Sequence, residues 1–239
     1  ELANCRRIGV ADGLGSAVVH AFAEDRAGRI LIGTRGAGLA IYSDGRLSSL
    51  RAADGLASDD IYTLLVRRNG LIVAGGAGGL AICLSPEPGR CRVLREANGL
   101  PTDEVRALHE DAEGALWIGT EGGLAQLIRD DFWSYSKADG LPSQHVYSLA
   151  PDGSGGLWVG TVDGLGHLTL GDHGEPSVRR YGLAEGLPAN WIWATFVDRR
   201  GVVWAGTEQG LCRLRGERCQ RFGVEQGLPS SYVLSLAET

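Results

Sequence analysis

Six residues stand four places after a recurring Gly-Leu pair: Val18, Asp60, Glu104, His145, Trp191 and Tyr232. Two places further on stand His20, Tyr62, Arg106, Tyr147, Trp193 and Leu234. Carboxylates, an imidazole, a guanidinium and aromatic rings gathered at equivalent positions can hold sugars or amphiphilic ligands by ring stacking and hydrogen bonding. Between the two columns lies a β-branched position in every copy: Val19, Ile61, Val105, Val146, Ile192 and Val233. That middle position reads as core. We take Asp60, Glu104, His145, Trp191 and Tyr232, with Tyr62, Arg106, Tyr147 and Trp193, as the candidate ligand-binding residues. The alternative is that Tyr62, Tyr147 and Trp193 pack between structural elements.

Little else in the chain suggests chemistry. His20, His109, His145, His167 and His173 include no pair with zinc-ligand spacing beside a Cys or carboxylate cluster. Frequent Asp-Gly pairs are not followed by the alternating Asp series of a calcium loop. No Gly-x-Ser-x-Gly and no phosphate loop occurs. The glycine-rich run at 75–79 reads as a β-turn. Glu104 with His145, at equivalent positions of successive copies, is the one acid–base pair that could serve a lyase or hydrolase. We expect no catalytic residue, no metal and no cofactor.

The elements that carry these columns repeat. The Gly-Leu pair ends at Leu14, Leu56, Leu100, Leu141, Leu187 and Leu228, in steps of 42, 44, 41, 46 and 41 residues. A second Gly recurs at Gly33, Gly75, Gly119, Gly160 and Gly206, usually within Trp-Ile/Val-Gly-Thr. A period of about 40–45 residues with several short apolar runs predicts a β-propeller, one four-stranded antiparallel blade per repeat. The repeat at 139–184 predicts strands Val146 to Leu149, Leu157 to Thr161, Leu165 to Leu170 and Val178 to Tyr181. Asp25 to Gly28, Asp111 to Gly114 and Asp198 to Gly201 read as type I turns, Asp accepting backbone N–H groups at the first position. The mid-strand Gly predicts close approach of a neighbouring strand or blade. Trp117, Trp158 and Trp204 share one column and read as filling between blades, with ligand stacking the lesser alternative.

Five whole repeats are expected, at about 12–53, 54–97, 98–138, 139–184 and 185–225. Residues 4–10 match a fourth strand and residues 229–237 a first strand, each without the rest of its blade. A propeller closes to hide its strand edges, so a larger ring is expected, of about seven blades. The chain starts at Glu1 and contains no Met, which reads as a processed or excised piece of a longer protein. The 239 residues are 44% hydrophobic and carry a net charge of −6. Without a basic tract, nucleic acid and anionic membranes are poor partners. No apolar run reaches the roughly 18 residues of a membrane span.

Three segments carry a family resemblance: DGLPSQHVYSLAPDGSGGLWVGTVDGL at 139–165, NGLPTDEVRALHEDAEGALWIGTEGGL at 98–124 and EGLPANWIWATFVDRRGVVWAGTEQGL at 185–211. Each resembles the two-component regulator propeller repeat. The first two repeats depart from it: Gly15 and Ala57 replace the loop proline, and Leu31 and Val73 replace the Trp. The resemblance implies a sensor region outside the cytoplasm of a membrane-anchored bacterial signalling protein. It implies a histidine kinase or diguanylate cyclase output beyond these residues. It also implies neighbouring propeller or β-sandwich domains as partners.

The cysteines agree with that compartment. Cys5, Cys91 and Cys219 share one place on the fourth strand, and Cys83 and Cys212 lie on the preceding third strands. Cys83 therefore faces Cys91 and Cys212 faces Cys219 across short hairpins, which favours disulfides and an oxidising compartment. Coincidentally buried thiols are the alternative. The expected function is a non-enzymatic ligand sensor taking an oligosaccharide or other small molecule. An interaction or dimerisation scaffold, a homodimer included, and an extracytoplasmic lyase or hydrolase are the rival readings.

Overall fold

The computed structural model describes residues 7–171 and 174–238. Cys5, His173 and most of the strand expected at 4–10 lie outside them. The chain divides after Val105 into two compact units.

The first unit holds two four-stranded antiparallel sheets. One comprises β1 (Val19–Glu24), β2 (Ile30–Thr34), β3 (Leu39–Ser43) and β4 (Arg46–Leu50). The other comprises β5 (Ile61–Val66), β6 (Ile72–Gly76), β7 (Gly79–Cys83) and β8 (Cys91–Leu94). Each strand pairs with the next in sequence. Leu31, Leu39, Leu50, Ile61, Ile72 and Cys83 form their shared core.

The second unit holds three sheets of the same order. The first comprises β9 (Val105–Glu110), β10 (Leu116–Thr120), β11 (Gly123–Ile128) and β12 (Asp131–Tyr135). The next comprises β13 (Val146–Pro151), β14 (Leu157–Thr161), β15 (Gly164–Leu170) and β16 (Pro176–Tyr181). The last comprises β17 (Ile192–Val197), β18 (Val203–Thr207), β19 (Gly210–Arg215) and β20 (Arg218–Phe222). Trp158, Leu165, Leu187, Ile192, Ala205 and Cys212 pack together, as do Trp117, Leu124, Leu141, Val146 and Val159. The fold is thus all-β, built of five four-stranded propeller blades.

The repeated residues build the blades. Burying a β-branched residue requires a space on the sheet before it, and the mid-strand Gly supplies that space. A Cβ on Gly160 would stand 2.8 Å from Ile192 Cγ2 and one on Gly119 2.7 Å from Val146 Cγ1. The Thr after that Gly is fully buried in four blades, where Thr34, Thr120, Thr161 and Thr207 donate to the carbonyls of Gly38, Gly123, Gly164 and Gly210. This satisfies both a buried hydroxyl and a turn carbonyl.

The Asp turns reach further than expected. Trp117 Nε1 donates to Asp111 at 2.8 Å and Trp204 Nε1 to Asp198 at 3.1 Å. In the fourth blade Asp152 instead meets His167 Nε2 at 2.8 Å, and the imidazole stacks on Trp158 with centroids 4.2 Å apart. These indoles are therefore part of the blade.

Residues 7–9 form no strand, and Val10–Asp12 is a 3-10 turn. Residues 229–238 carry no strand ladder, although Val233 N–H donates to Thr207 O at 2.9 Å.

Candidate ligand-binding site

The first strands are bent just where the second column falls. Val146 pairs with Thr161 and Ser148 with Gly160, so Tyr147 is the extra residue of a β-bulge. The same shift leaves His20, Tyr62 and Trp193 as bulge residues of β1, β5 and β17. Bulges re-aim side chains and gather beside binding sites. In four of the six copies the first column is set by a Ser two places before it. Ser16, Ser58, Ser143 and Ser230 hydroxyls accept from the N–H of Val18, Asp60, His145 and Tyr232. Such turns fix the backbone locally.

In the second unit four of the expected residues come together, two of them, Tyr147 and Trp193, re-aimed by these bulges. Trp191 and Trp193 stack with centroids 4.7 Å apart and planes 18° apart. Tyr147 meets both edge-on, at 5.4 Å from Trp193 and 5.8 Å from Trp191. The Arg106 guanidinium lies 5.6 Å from the Tyr147 ring centre. All four are half-buried.

A fifth residue completes the cluster. Glu121 Oε1 accepts from Arg106 Nη2 at 2.6 Å, from Arg106 Nε at 3.0 Å and from the Tyr147 hydroxyl at 3.2 Å. Glu121 was not among the residues expected from sequence. It follows the Gly-Thr pair, at a position occupied elsewhere by Arg35, Ala77, Val162 and Glu208. Arg35, Ala77 and Val162 donate their N–H to the carbonyl of the first-column residue of their own blades. This third varying position was the signal.

The indole N–H groups of Trp191 and Trp193 are buried and have no hydrogen-bond partner among the described residues. Leaving a buried donor unmet costs about 1–3 kcal/mol. The cluster therefore combines two stacked indoles, two buried donors unmet among the described residues, and a carboxylate already held by a guanidinium and a phenol.

The other expected residues stand apart from this cluster. His145 is exposed and Tyr232 is 58% exposed, and no hydrogen bond or ring contact among the described residues ties either side chain to it. In the first unit His20 meets Tyr62 edge-on with centroids 5.6 Å apart, and Asp60 and Glu104 are half-buried. A cleft of about 460 Å³ lined by Asp111, Trp117, Gln126, Arg129 and Leu170 lies at the opposite end of the strands from the columns. It includes none of the column residues. Among the described residues no group of three or more His, Cys, Asp or Glu could hold a metal ion, and no helix is long and apolar enough to cross a membrane.

Cys83–Cys91 and Cys212–Cys219 are disulfides. Cys83 is directly opposite Cys91 in its ladder. Cys212 is opposite Arg221 and Cys219 opposite Leu214, so the second bond crosses diagonally.

The two component regulator propeller family matches residues 13–36, 99–122, 140–163 and 186–209. No curated protein matches the chain. Among solved structures it is similar to the extracellular domain of BT3049 from B. thetaiotaomicron, described as a hybrid two component system. That match has TM-score 0.75 and 24% identity, and covers 90% of this chain but 29% of the other. The extracellular domain of BT4673 from the same organism matches with TM-score 0.59 and 18% identity, over 87% of this chain and 38% of that one. Virginiamycin B lyase from Staphylococcus aureus, in a catalytically inactive H270A form with quinupristin, matches with TM-score 0.69 and 12% identity over 91% and 73% of the two chains. The chain thus spans about a third of the first two structures. Blade architecture, the Gly-Leu and Trp-Ile/Val-Gly-Thr phrases and the four matched segments together place the chain in the two-component regulator propeller repeat family.

Proposed function

We propose that this chain is a non-enzymatic part of the extracytoplasmic sensor region of a two-component regulator, and that it takes an oligosaccharide on Tyr147, Trp191 and Trp193. The observation that carries the reading is the stacked indole pair whose two buried N–H groups lack a partner among the described residues. Sugar rings lay their C–H faces on indoles and offer hydroxyl oxygens to N–H donors. Glu121 accepts hydroxyl hydrogens, and Arg106 holds its carboxylate in place. Asp60, Tyr62, Glu104, His145 and Tyr232 are proposed as further contacts made from their own blades.

Both disulfides favour an oxidising compartment. Location outside the cytoplasm is in keeping with the two similar extracellular domains. Those chains are longer, so we take the five blades as a segment of a larger ring. Neighbouring propeller or β-sandwich domains of the same protein, and a second copy of it, are the protein partners of this reading. Nucleic acid is not one of them, given the net charge of −6.

The experiment is a thermal-shift screen against defined oligosaccharides, with the sugars recovered and analysed by chromatography. A ligand that binds the folded state raises the melting temperature. A rise with the sugar recovered intact is the expected result. Turnover of the sugar would contradict a non-enzymatic role, and no rise across the panel would contradict the ligand class.

A further inference from the structure

The two disulfides differ in geometry but arrive at the same place. Each closes a hairpin that touches the short 3-10 turn leading into its own blade. In the last blade that turn is Leu183–Glu185, closed by Gly186 with φ 100°. A Cβ on Gly186 would stand 3.3 Å from Cys219 O and 3.5 Å from Cys219 Cβ, so the turn rests on Cys219, one end of the disulfide. Arg221 Nε, two residues on, donates to Gly186 O at 2.6 Å. The turn runs at once into Leu187, fully buried beside Cys212, and then into Trp191 and Trp193. In the first unit the loop closed by Cys83–Cys91 donates Gly89 N–H to Asp54 O at 2.8 Å. Asp54 ends the turn Ala52–Asp54, which leads to Asp60 and Tyr62.

The fourth blade shows the same contact without a bond. Val178 lies opposite Leu168, as Cys219 lies opposite Leu214. A Cβ on Gly140 would stand 3.2 Å from Val178 Cβ, and Arg180 Nε donates to Gly140 O at 2.7 Å. Packing and an Arg–carbonyl bond therefore suffice to seat a lead-in turn. The disulfides add a covalent tie between the two strands that form the seat.

We propose that each disulfide clamps the lead-in turn of its own blade, so that Cys212–Cys219 positions Trp191 and Trp193 and Cys83–Cys91 positions Asp60 and Tyr62. The cysteines are positioning residues: they act through the turn and touch no ligand. A tie between strands reduces the open conformations available to the seat, and the turn opens less often as a result. An extracytoplasmic thiol reductant of small size would release both clamps, each S–S bond taking two electrons and two protons to give two thiols. The claim concerns the conformation of the turns and holds with or without an oligosaccharide as ligand.

Hydrogen exchange read by mass spectrometry tests it on the whole chain, oxidised and then reduced by a phosphine, with thiol labelling to show that reduction is complete. Exchange should rise about tenfold in 183–193 and in 52–62 while 137–147, seated by Val178, stays unchanged. C212A/C219V, which gives the last blade the valine of the fourth, keeps the packing and removes the bond. It should show the same rise in 183–193 alone, with a weaker exciton signal from the stacked indoles in circular dichroism. Unchanged exchange in 183–193 of either sample would overturn the clamp. An equal rise in 137–147 would also overturn it, because the bonds would then hold whole blades and not the turns.

Discussion

Trp191 and Trp193 lie face to face, 4.7 Å between centroids, although the residue between them, Ile192, is fully buried in the opposite direction. A regular strand would keep two such side chains apart along one face, about 7 Å from each other. The bulge at Trp193, between Ile192 and Ala194, brings them together. Trp191→Ala should forfeit the stack, about 0.5–1.5 kcal/mol, read as a lower urea midpoint with unchanged slope. A variant as stable as the parent would show that the two rings gain nothing from one another.

Glu121 links Arg106 to Tyr147, yet the Arg106 and Glu121 side chains are 25% and 30% exposed. Exposed pairs contribute little, so Glu121→Gln should cost below about 1 kcal/mol. Its effect on oligosaccharide binding should be larger, about tenfold or more, since both a carboxylate acceptor and the seat of Arg106 are lost. A double-mutant cycle with Arg106→Gln measures the first quantity and titration calorimetry the second. Strong destabilisation with unchanged affinity would make Glu121 a structural residue.

The blade framework was legible because its residues repeat. The predicted strand Leu157 to Thr161 forms as expected, and Val146 to Leu149 continues only to Pro151. Cys83–Cys91 and Cys212–Cys219 followed from hairpin position. The site was legible only in part. Periodicity places Tyr147 and Trp193 at equivalent positions but does not show that a bulge turns both toward one cluster. It gives no sign that His145 stays out in solvent. Glu121 escaped because its column sits after the Gly-Thr phrase, whose regularity draws attention to structure.

A Cβ on Gly160 would run into Ile192 and into Ser148 and Thr195, whose hydroxyls hydrogen-bond at 2.8 Å. Gly160→Ala puts a methyl group into that gap and should destabilise by about 1–3 kcal/mol. Gly153→Ala is the contrast: φ is 81° there but no atom lies within 4 Å of the added Cβ, so its cost is backbone strain, about 1 kcal/mol. Thermal or urea unfolding separates the two, and equal costs would argue against tight packing at Gly160.

Acid should weaken the outer ends of the last two blades. The Trp204 indole N–H, with the N–H groups of Val202 and Arg200, holds the Asp198 carboxyl below the ordinary Asp range. Burial alone would raise Asp152, but hydrogen bonds from Ser154, His167 and Gly156 outweigh it and leave that carboxyl lowered too. The unfolded chain, where Asp titrates near about 3.9, binds these protons first. Their stabilisation is therefore complete above about pH 4 and is lost as pH falls through the lower folded values. Asp198→Asn should flatten this part of the stability-against-pH curve, read from unfolding midpoints between about pH 2 and pH 6. An unchanged slope would mean that Asp198 keeps its ordinary affinity for a proton in the fold.

The most direct test of the ligand reading is titration calorimetry of the best-stabilising oligosaccharide against the parent chain and against Trp191→Ala/Trp193→Ala, both first shown by circular dichroism to be folded. The account predicts measurable binding by the parent and a loss of at least about tenfold in the double variant, since stacking on two rings carries the contact. Equal affinity in the two proteins would contradict it.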